Sequence, residues 1–288
     1  MTNLLTPNKE ISDEEFRMMR DFLQSRCGLF LGDNKKYLVQ SRLEGILREN
    51  GLDSYAGLIH LAERDHGGEL LEKIIDKMTT HETFWFRDGY PFAILEELIL
   101  PELLNRGKKT DPVRIWSCAA STGQEPYSIA MSIMEFCRKN SIADHRQWTM
   151  DHFEILATDI SPTAIEASSK GRYDSFDVSR GLSETHLHRY FKKEGNAWEV
   201  REELKKIIRF RSFNLQKTFC HHGKFDVIFC RNVMIYFSVD FKRELMAKFK
   251  GSLHGRGFLF LGMSESPLGI SNAFESVVHK NGVVFRKT

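Results

Sequence analysis

Cysteine is scarce in this chain of 288 residues and poorly spaced for bridging: Cys27, Cys118, Cys137, Cys220 and Cys230 are odd in number and form no CxxC pair. That speaks against a disulfide framework and suits reduced thiols. Charge of one sign is also missing. Forty-one basic residues face 39 acidic ones, a net charge of +2, so there is no global electrostatic footprint for nucleic acid or an anionic membrane. No long apolar run occurs either. The most apolar stretch, FAILEELILPELL, is interrupted by glutamates, and the opening MTNLLTPNKEISDEEF has no basic region leading into an apolar core, so neither membrane insertion nor secretion is expected and the location expected is cytoplasmic. Glycine-rich phosphate loops are absent too: there is no GxGxxG and no GK[ST], which argues against a pyrophosphate ligand and a dehydrogenase. The balanced surface makes a monomer the default.

What is present suffices for a core. At 41% hydrophobic content the chain has room for one large or two modest domains. The first eighty or so residues carry only helical signals. Ser12 followed by Glu15 has capping-box spacing and Ile11 with Phe16 has staple spacing, so a helix is predicted from Asp13, with Gly28 as its left-handed stop. A second is predicted over 35–49, with Leu38, Leu43, Ile46 and Leu47 inward. A third should be capped by Asp53, and a fourth should span 69–78, with Leu70, Leu71, Ile74 and Ile75 inward.

After Thr79 strand and helix signals alternate, the pattern of a parallel α/β sheet. Strands are predicted at 113–116, 153–158, in FDVIFC and in GFLFLG, with helices over 125–139 and 162–169. The stretch from Gly171 to Asn214 has no clean periodicity and reads as an insertion. At the end, AFESVVHKNGVVFRKT predicts an antiparallel hairpin turning at Asn281-Gly282.

Chemistry concentrates where strands end. FDVIFCRNVMIYF runs from a buried strand into the polar pair Arg231-Asn232, and ligands of open α/β sheets bind beyond the strands' carboxyl ends. In WSCAASTGQEPYSIA, small residues from Ser117 to Gly123 let a ligand approach the backbone, and Glu125 at the helix start favours a cationic group over phosphate. Asp159 ends the next strand, placed either to accept from ribose hydroxyls or to compete with Ser161 for the helix cap. Asn214-Leu215 offers an amide and an apolar side chain to an adenine, or is a plain loop. In TTHETFWFRDGYPF the dense aromatics read as packing, while Arg87 has the guanidinium needed to clamp a carboxylate. His221-His222 reads as solvated surface, and no metal is called for.

Taken together, TTHETFWFR, AASTGQEPYSIA, ATDIS, FNL, FCRNVMIYF and GFLFLGMSES resemble the chemotaxis receptor methyltransferases, the CheR family, over nearly the whole chain. The resemblance implies a small all-α receptor-recognition domain (residues 1–78). A Rossmann-like S-adenosylmethionine-dependent methyltransferase domain (79–288) would follow, with a small β-subdomain inserted at 171–211 and a C-terminal antiparallel hairpin. It implies transfer of a methyl group from S-adenosylmethionine to receptor glutamates, leaving S-adenosylhomocysteine. Carried over by position, it assigns His81, Thr83, Arg87, Glu125, Asp159, Asn214, Leu215, Arg231 and Asn232 to the cofactor, and Arg87 with Tyr236 to catalysis. The family usually has asparagine where this chain has His81, which puts one cofactor contact in question.

The implied chemistry asks mainly for placement. A glutamate with a reference pKa of ~4.3 is already ionised near neutrality and needs no general base, and alignment of acceptor, methyl and sulfur is worth ~7–11 kcal/mol in well-oriented cases. The implied partner is the helical methylation region of chemoreceptors. Lys35, Lys36, Arg42 and Arg48 offer it a modest positive face, although an ordinary solvated face explains them equally well. The subdomain segment RYFKKEGNAWEVREEL is short, so docking to a C-terminal receptor peptide is expected to be weak or absent. A methyltransferase of the same fold with another acceptor, and a non-catalytic receptor-binding module, are the competing readings.

Overall fold

The computed structural model describes residues 10–105, 112–140 and 148–288. Its contacts divide into two units, one running up to Thr80 and including Tyr236–Ser238, the other comprising the remainder.

The first unit is built from helices α1 (Asp13–Cys27), α2 (Lys36–Glu49), α3 (Tyr55–Arg64) and α4 (Glu69–Met78). The predicted capping box is formed: Ser12 Oγ accepts from the Glu15 amide while the Glu15 carboxylate accepts from the Ser12 amide, and Gly28 closes α1 at φ 76°. Three details differ from expectation. In α2 the fully buried position is Val39, with Leu38 only half-buried, because Val39, Leu43 and Ile46 follow the 4-3 spacing of one stripe. The cap of α3 is Ser54, whose Oγ accepts from the Gly57 amide, rather than Asp53. In α4 the inward residues are Ile74, Ile75 and Met78, with Leu70 and Leu71 half-buried. The expected positive face is also largely engaged. Arg42 donates to the carbonyls of Met78 (2.7 Å) and Thr79 (3.1 Å) at the end of α4, Lys36 pairs with Asp13, and Arg48 lies 3.8 Å from Glu44.

The second unit holds strands β1 (Val113–Cys118), β2 (Phe153–Asp159), β3 (Arg172–Tyr173), β4 (Phe191–Glu194), β5 (Ala197–Val200), β6 (Ile208–Ser212), β7 (Phe225–Cys230), β8 (Leu253–Leu261), β9 (Phe274–His279) and β10 (Gly282–Lys287). Seven form one sheet in the order β6-β2-β1-β7-β8-β10-β9. The pairs from β6 to β8 are parallel, and β10 runs antiparallel to both β8 and β9. The order reverses between β1 and β7, the position where such sheets open a crevice at their carboxyl edge. All six residues of β7 are buried, as a central parallel strand requires. Its one polar member, Asp226, accepts from the Arg114 amide at 3.0 Å.

β3, β4 and β5 make a separate small sheet in the order β3-β5-β4. The aperiodic stretch therefore has two fates. Most of it is this subdomain, but its last strand, β6, belongs to the edge of the main sheet. The aromatic run behaves as packing at Trp85, which is fully buried with its ring edge-on to Tyr173 (4.8 Å) and Phe191 (5.2 Å). His222 is half-buried, 4.5 Å from the Phe213 ring, and not the solvated residue expected; only His221 is exposed. The hairpin turn also differs. Gly282 pairs with His279, so the two-residue loop is Lys280-Asn281, with Lys280 at φ 51°. Gly282 serves packing instead, since a Cβ there would stand 2.3 Å from the Tyr90 ring.

Candidate active site

The loop leaving β1 turns sharply. Ala119 (φ 57°) and Ser121 (φ 51°) are both left-handed without being glycine, a conformation costing on the order of 1–2 kcal/mol per residue. Hydrogen bonds hold it there. The Ala120 amide donates to the Thr158 carbonyl (2.9 Å), the Ser121 amide to Asp159 Oδ2 (2.8 Å), and Ser121 Oγ to the His81 carbonyl (2.9 Å). Strain maintained at the sheet's carboxyl edge is a mark of a working site.

Asp159, at the end of β2, is 5% exposed. Its Oδ2 accepts from the Ser121 amide at 2.8 Å and its Oδ1 from the Ser161 amide at 3.0 Å, and the Ile160 amide also donates to the carboxylate. The helix Pro162–Lys170 is capped by Ser161, whose Oγ accepts from Ala164, so the competition for the cap is resolved and Asp159 retains lone pairs for further donors. Burial pushes its carboxyl above the ordinary carboxylate range, against the opposing pull of the Ser161 and Ser121 amides and the charge of His81.

Glu125 lies in the first turn of the helix Gln124–Asn140. One oxygen accepts from Ser117 Oγ (2.8 Å) and the other from Arg231 Nη1 (2.9 Å). Arg231 follows β7 with a side chain 1% exposed, and its Nη2 donates to Asp88 Oδ2 (2.6 Å) and to the Arg87 carbonyl (2.9 Å). Its Nε is buried without a hydrogen-bond partner among the described residues. Two carboxylates thus neutralise this guanidinium inside the domain, the arrangement that makes a buried charge tolerable.

Arg87 is different. It donates from Nη1 to the Glu82 carbonyl (3.0 Å) and sits 5.3 Å from the Phe84 ring centroid, but no carboxylate among the described residues pairs with it. Thr83 and His81 are half-buried in the same segment. Asn232 is left-handed (φ 58°) and its amide donates to Glu265 Oε2 at 2.8 Å. The same carboxylate accepts from the Gly262 amide (2.7 Å) and, through Oε1, the Ile235 amide (3.2 Å). Asn214 follows β6 in a tight turn, its Oδ1 accepting from Gln216, and Leu215 is buried. Tyr236 closes the 3-10 turn Met234–Tyr236 and groups with the helical unit, where its carbonyl accepts from Phe30 (2.9 Å).

The carboxyl edges of β1, β2 and β7 therefore bring Glu125, Asp159, Arg231 and Asn232 together, joined by the segment carrying His81 and Arg87. Sequence reasoning took Ser117 and Ser121 only as small loop residues, without the hydrogen bonds they make, and missed Asp88 and Glu265. Glu265 was visible only as part of GMSES, where nothing in the spacing indicates that it braces a loop more than thirty residues upstream.

The donor set fits an adenosylated sulfonium. A buried carboxylate with spare lone pairs suits a ribose diol, and a second carboxylate at a helix start suits cationic groups and repels phosphate. No group of three or more His, Cys, Asp or Glu among the described residues is arranged to hold a metal.

Comparison with known proteins agrees. The family description "CheR methyltransferase, SAM binding domain" matches residues 81–283, and "CheR methyltransferase, all-alpha domain" matches 14–79. The chain is 41% identical to chemotaxis protein methyltransferase Cher2 of Pseudomonas putida, over 94% of this chain and 97% of that protein. It is 40% identical to chemotaxis protein methyltransferase 1 of Pseudomonas aeruginosa and to that of Vibrio cholerae, in each case over 96% of this chain and 98% of the relative. With both halves matched and the strand-end geometry in place, this chain belongs to the CheR methyltransferase family, an all-α domain joined to a Rossmann-like S-adenosylmethionine-binding domain.

Proposed function

We propose that the protein transfers a methyl group from S-adenosylmethionine to glutamate side chains of chemoreceptors, forming glutamyl methyl esters. One contrast carries this reading: Arg231 is charge-neutralised by two carboxylates, whereas Arg87, whose carbonyl Arg231 holds, has no carboxylate partner among the described residues. An unpaired guanidinium supported on an aromatic ring is suited to orienting an incoming carboxylate.

When bound, S-adenosylmethionine supplies a methyl group activated by a sulfonium, and its transfer to an acceptor oxygen leaves S-adenosylhomocysteine. The chain's own work is binding and orientation. Asp159 accepts from the ribose, Asn214 and Leu215 meet the adenine, and Glu125 offers negative charge to the cationic end. His81, Thr83 and Asn232 complete the walls, and Arg231 acts through the Glu125 it fixes. Arg87 orients the acceptor glutamate, and Tyr236 shapes its channel. No residue is required as a base, because the acceptor is ionised at neutral pH.

On this reading residues 1–78 meet the helical methylation region of the receptor and 79–288 carry the transferase, with the β3-β5-β4 subdomain inserted ahead of β6. The enzyme works in the cytoplasm as a monomer. Among the described residues no helix is long and apolar enough to cross a membrane. Docking of a receptor C-terminal peptide is weak, since the free edge strand β4 has only four residues and exposes Lys192 and Lys193, a short and charged edge of the kind that discourages strand addition.

Transfer of radiolabelled methyl from S-adenosylmethionine to membranes bearing the host's chemoreceptors tests the proposal. Label entering receptor bands, released by mild alkali and lost with Arg87→Ala, is the expected result. Cofactor binding by calorimetry without transfer would assign the chain another acceptor or a binding role.

A further inference from the structure

Arg180 lies just after the helix Ser175–Ser179, and its backbone is locked against the segment that carries Arg87. Its carbonyl accepts from the Trp85 amide (3.0 Å), and the Asp177 carbonyl accepts from Trp85 Nε1 (3.1 Å). At Gly181 (φ 93°) a Cβ would stand 2.2 Å from the Trp85 carbonyl oxygen. From this fixed base the side chain reaches the two residues on which Arg87 rests. The Arg180 guanidinium pairs with the Glu82 carboxylate, and Arg87 donates to the Glu82 carbonyl. Both guanidiniums face one ring, with Arg180 at 5.5 Å and Arg87 at 5.3 Å from the Phe84 centroid.

We propose that Arg180 is a positioning residue that keeps Arg87 available: by occupying the Glu82 carboxylate it prevents that carboxylate from swinging onto Arg87 and competing with the acceptor glutamate. The inference rests on the reading of Arg87 as the acceptor's ligand. The physical argument is one of competition. Glu82 is the carboxylate whose backbone Arg87 already touches, so a freed Glu82 side chain is an intramolecular rival at high effective concentration. Arg180 removes that rival with a charge-assisted pair and, through the Phe84 ring, holds the surface against which Arg87 lies. Ordering this support before the acceptor arrives lowers the cost of binding it.

The test uses the full-length protein, with initial rates measured against receptor concentration at saturating S-adenosylmethionine. Arg180→Ala should raise the acceptor KM about fivefold, the scale of one partly exposed ion pair, with kcat little changed and S-adenosylhomocysteine affinity by calorimetry unaltered. Adding Glu82→Gln to Arg180→Ala should restore KM, because the amide is no rival for a guanidinium. Arg180→Lys should stay near the parent value. Raising the salt should shrink the Arg180→Ala effect. A purely structural role predicts no rescue by Glu82→Gln, and that result, or a silent Arg180→Ala, would overturn the proposal. Arg87→Ala separates the two layers: if it transfers methyl with KM and rate at the parent values, the reading of Arg87 fails and the inference falls with it. If it loses transfer while the Glu82→Gln rescue fails, only the role of Arg180 is lost.

Discussion

Arg231 Nη1 lies 2.9 Å from Glu125 Oε2, binding the residue just after β7 to the first turn of the helix that follows β1. This ion pair spans the point where the strand order reverses, so it fastens the two halves of the crevice to each other. The second oxygen of Glu125 is held by Ser117, and the second arm of Arg231 by Asp88. Glu125 therefore presents its charge in a fixed place.

Removing that guanidinium should be costly. Arg231→Met leaves Glu125 and Asp88 without their buried counter-ion, and breaking such a pair on one side costs about 3–5 kcal/mol. Urea denaturation should show a loss of that size together with abolished cofactor binding. A stability within about 1 kcal/mol of the parent, on the scale of an exposed pair, would mean that the pair is solvated and not a brace.

Asp159 predicts a pH dependence of defined sign. Burial raises its carboxyl above the ordinary range, so on acidification it takes up a proton before an unfolded-state aspartate does. For the unliganded fold, a raised acid pKa gives a contribution fully present below the unfolded value and lost as pH rises through the folded one. Cofactor binding follows the opposite direction, because only the ionised carboxylate accepts freely from ribose. Calorimetry from pH 8 downward should show affinity for S-adenosylhomocysteine falling at a pH above the usual carboxylate range, while Asp159→Asn gives weak binding with a flat profile. A parent profile that matches that of Asp159→Asn in affinity and shape would remove Asp159 from the cofactor site.

The fold was legible where a local rule and its tertiary outcome coincide. The capping box at Ser12, the glycine stop at Gly28 and the fully apolar face of β7 are each decided within a few residues of themselves. The errors occur where a distant partner decides. Asn281-Gly282 has the composition of a hairpin turn, yet Gly282 is constrained by Tyr90, nearly two hundred residues away, and the turn moves one residue upstream. β6 alternates apolar Ile208 and Phe210 with Arg209 and Arg211, as an edge strand with one inward row does, but its pairing with β2 is decided about fifty residues away, so in sequence it groups with the aperiodic insertion before it. At the site, the residue types announced themselves at the strand ends. The Asp88 and Glu265 anchors did not, since a carboxylate that caps a remote loop looks like any surface acid in sequence.

Two glycines should respond in opposite directions to alanine. At Gly282 the new Cβ would meet the Tyr90 ring at 2.3 Å and its Cβ at 2.9 Å, so the whole side chain must move and loosen its bond to the Leu261 carbonyl. Overpacking of this kind costs about 1–3 kcal/mol. Gly45 lies within α2, and a methyl group added there would meet nothing within 4 Å. Alanine at that position should stabilise by about 0.5–1 kcal/mol from helix propensity and unfolded-state entropy. Thermal melts of Gly282→Ala and Gly45→Ala should shift down and up respectively; a gain for Gly282→Ala would show that Tyr90 repacks without cost.

The cysteines provide a probe of the crevice itself. Cys118 and Cys230 are register partners at the carboxyl ends of β1 and β7, both buried and both free, and burial raises each thiol above its ordinary value. Cys27 and Cys137 are pushed up to about 11 by burial, whereas Cys220 is exposed. Because the thiolate is the species that reacts, iodoacetamide at neutral pH should modify Cys220 within minutes and leave the other four protected, as read by peptide mass spectrometry. Slow labelling of Cys118 and Cys230 then requires opening of the strands beneath the loop that follows β1. A ligand that binds only the closed form suppresses that opening by mass action, so S-adenosylhomocysteine at a hundred times its Kd should slow their labelling about a hundredfold. Cys220, which needs no opening, should keep its rate. Equal slowing at all sites would point to a general effect on the reagent, and no slowing at Cys118 or Cys230 would place the cofactor away from the junction of β1 and β7.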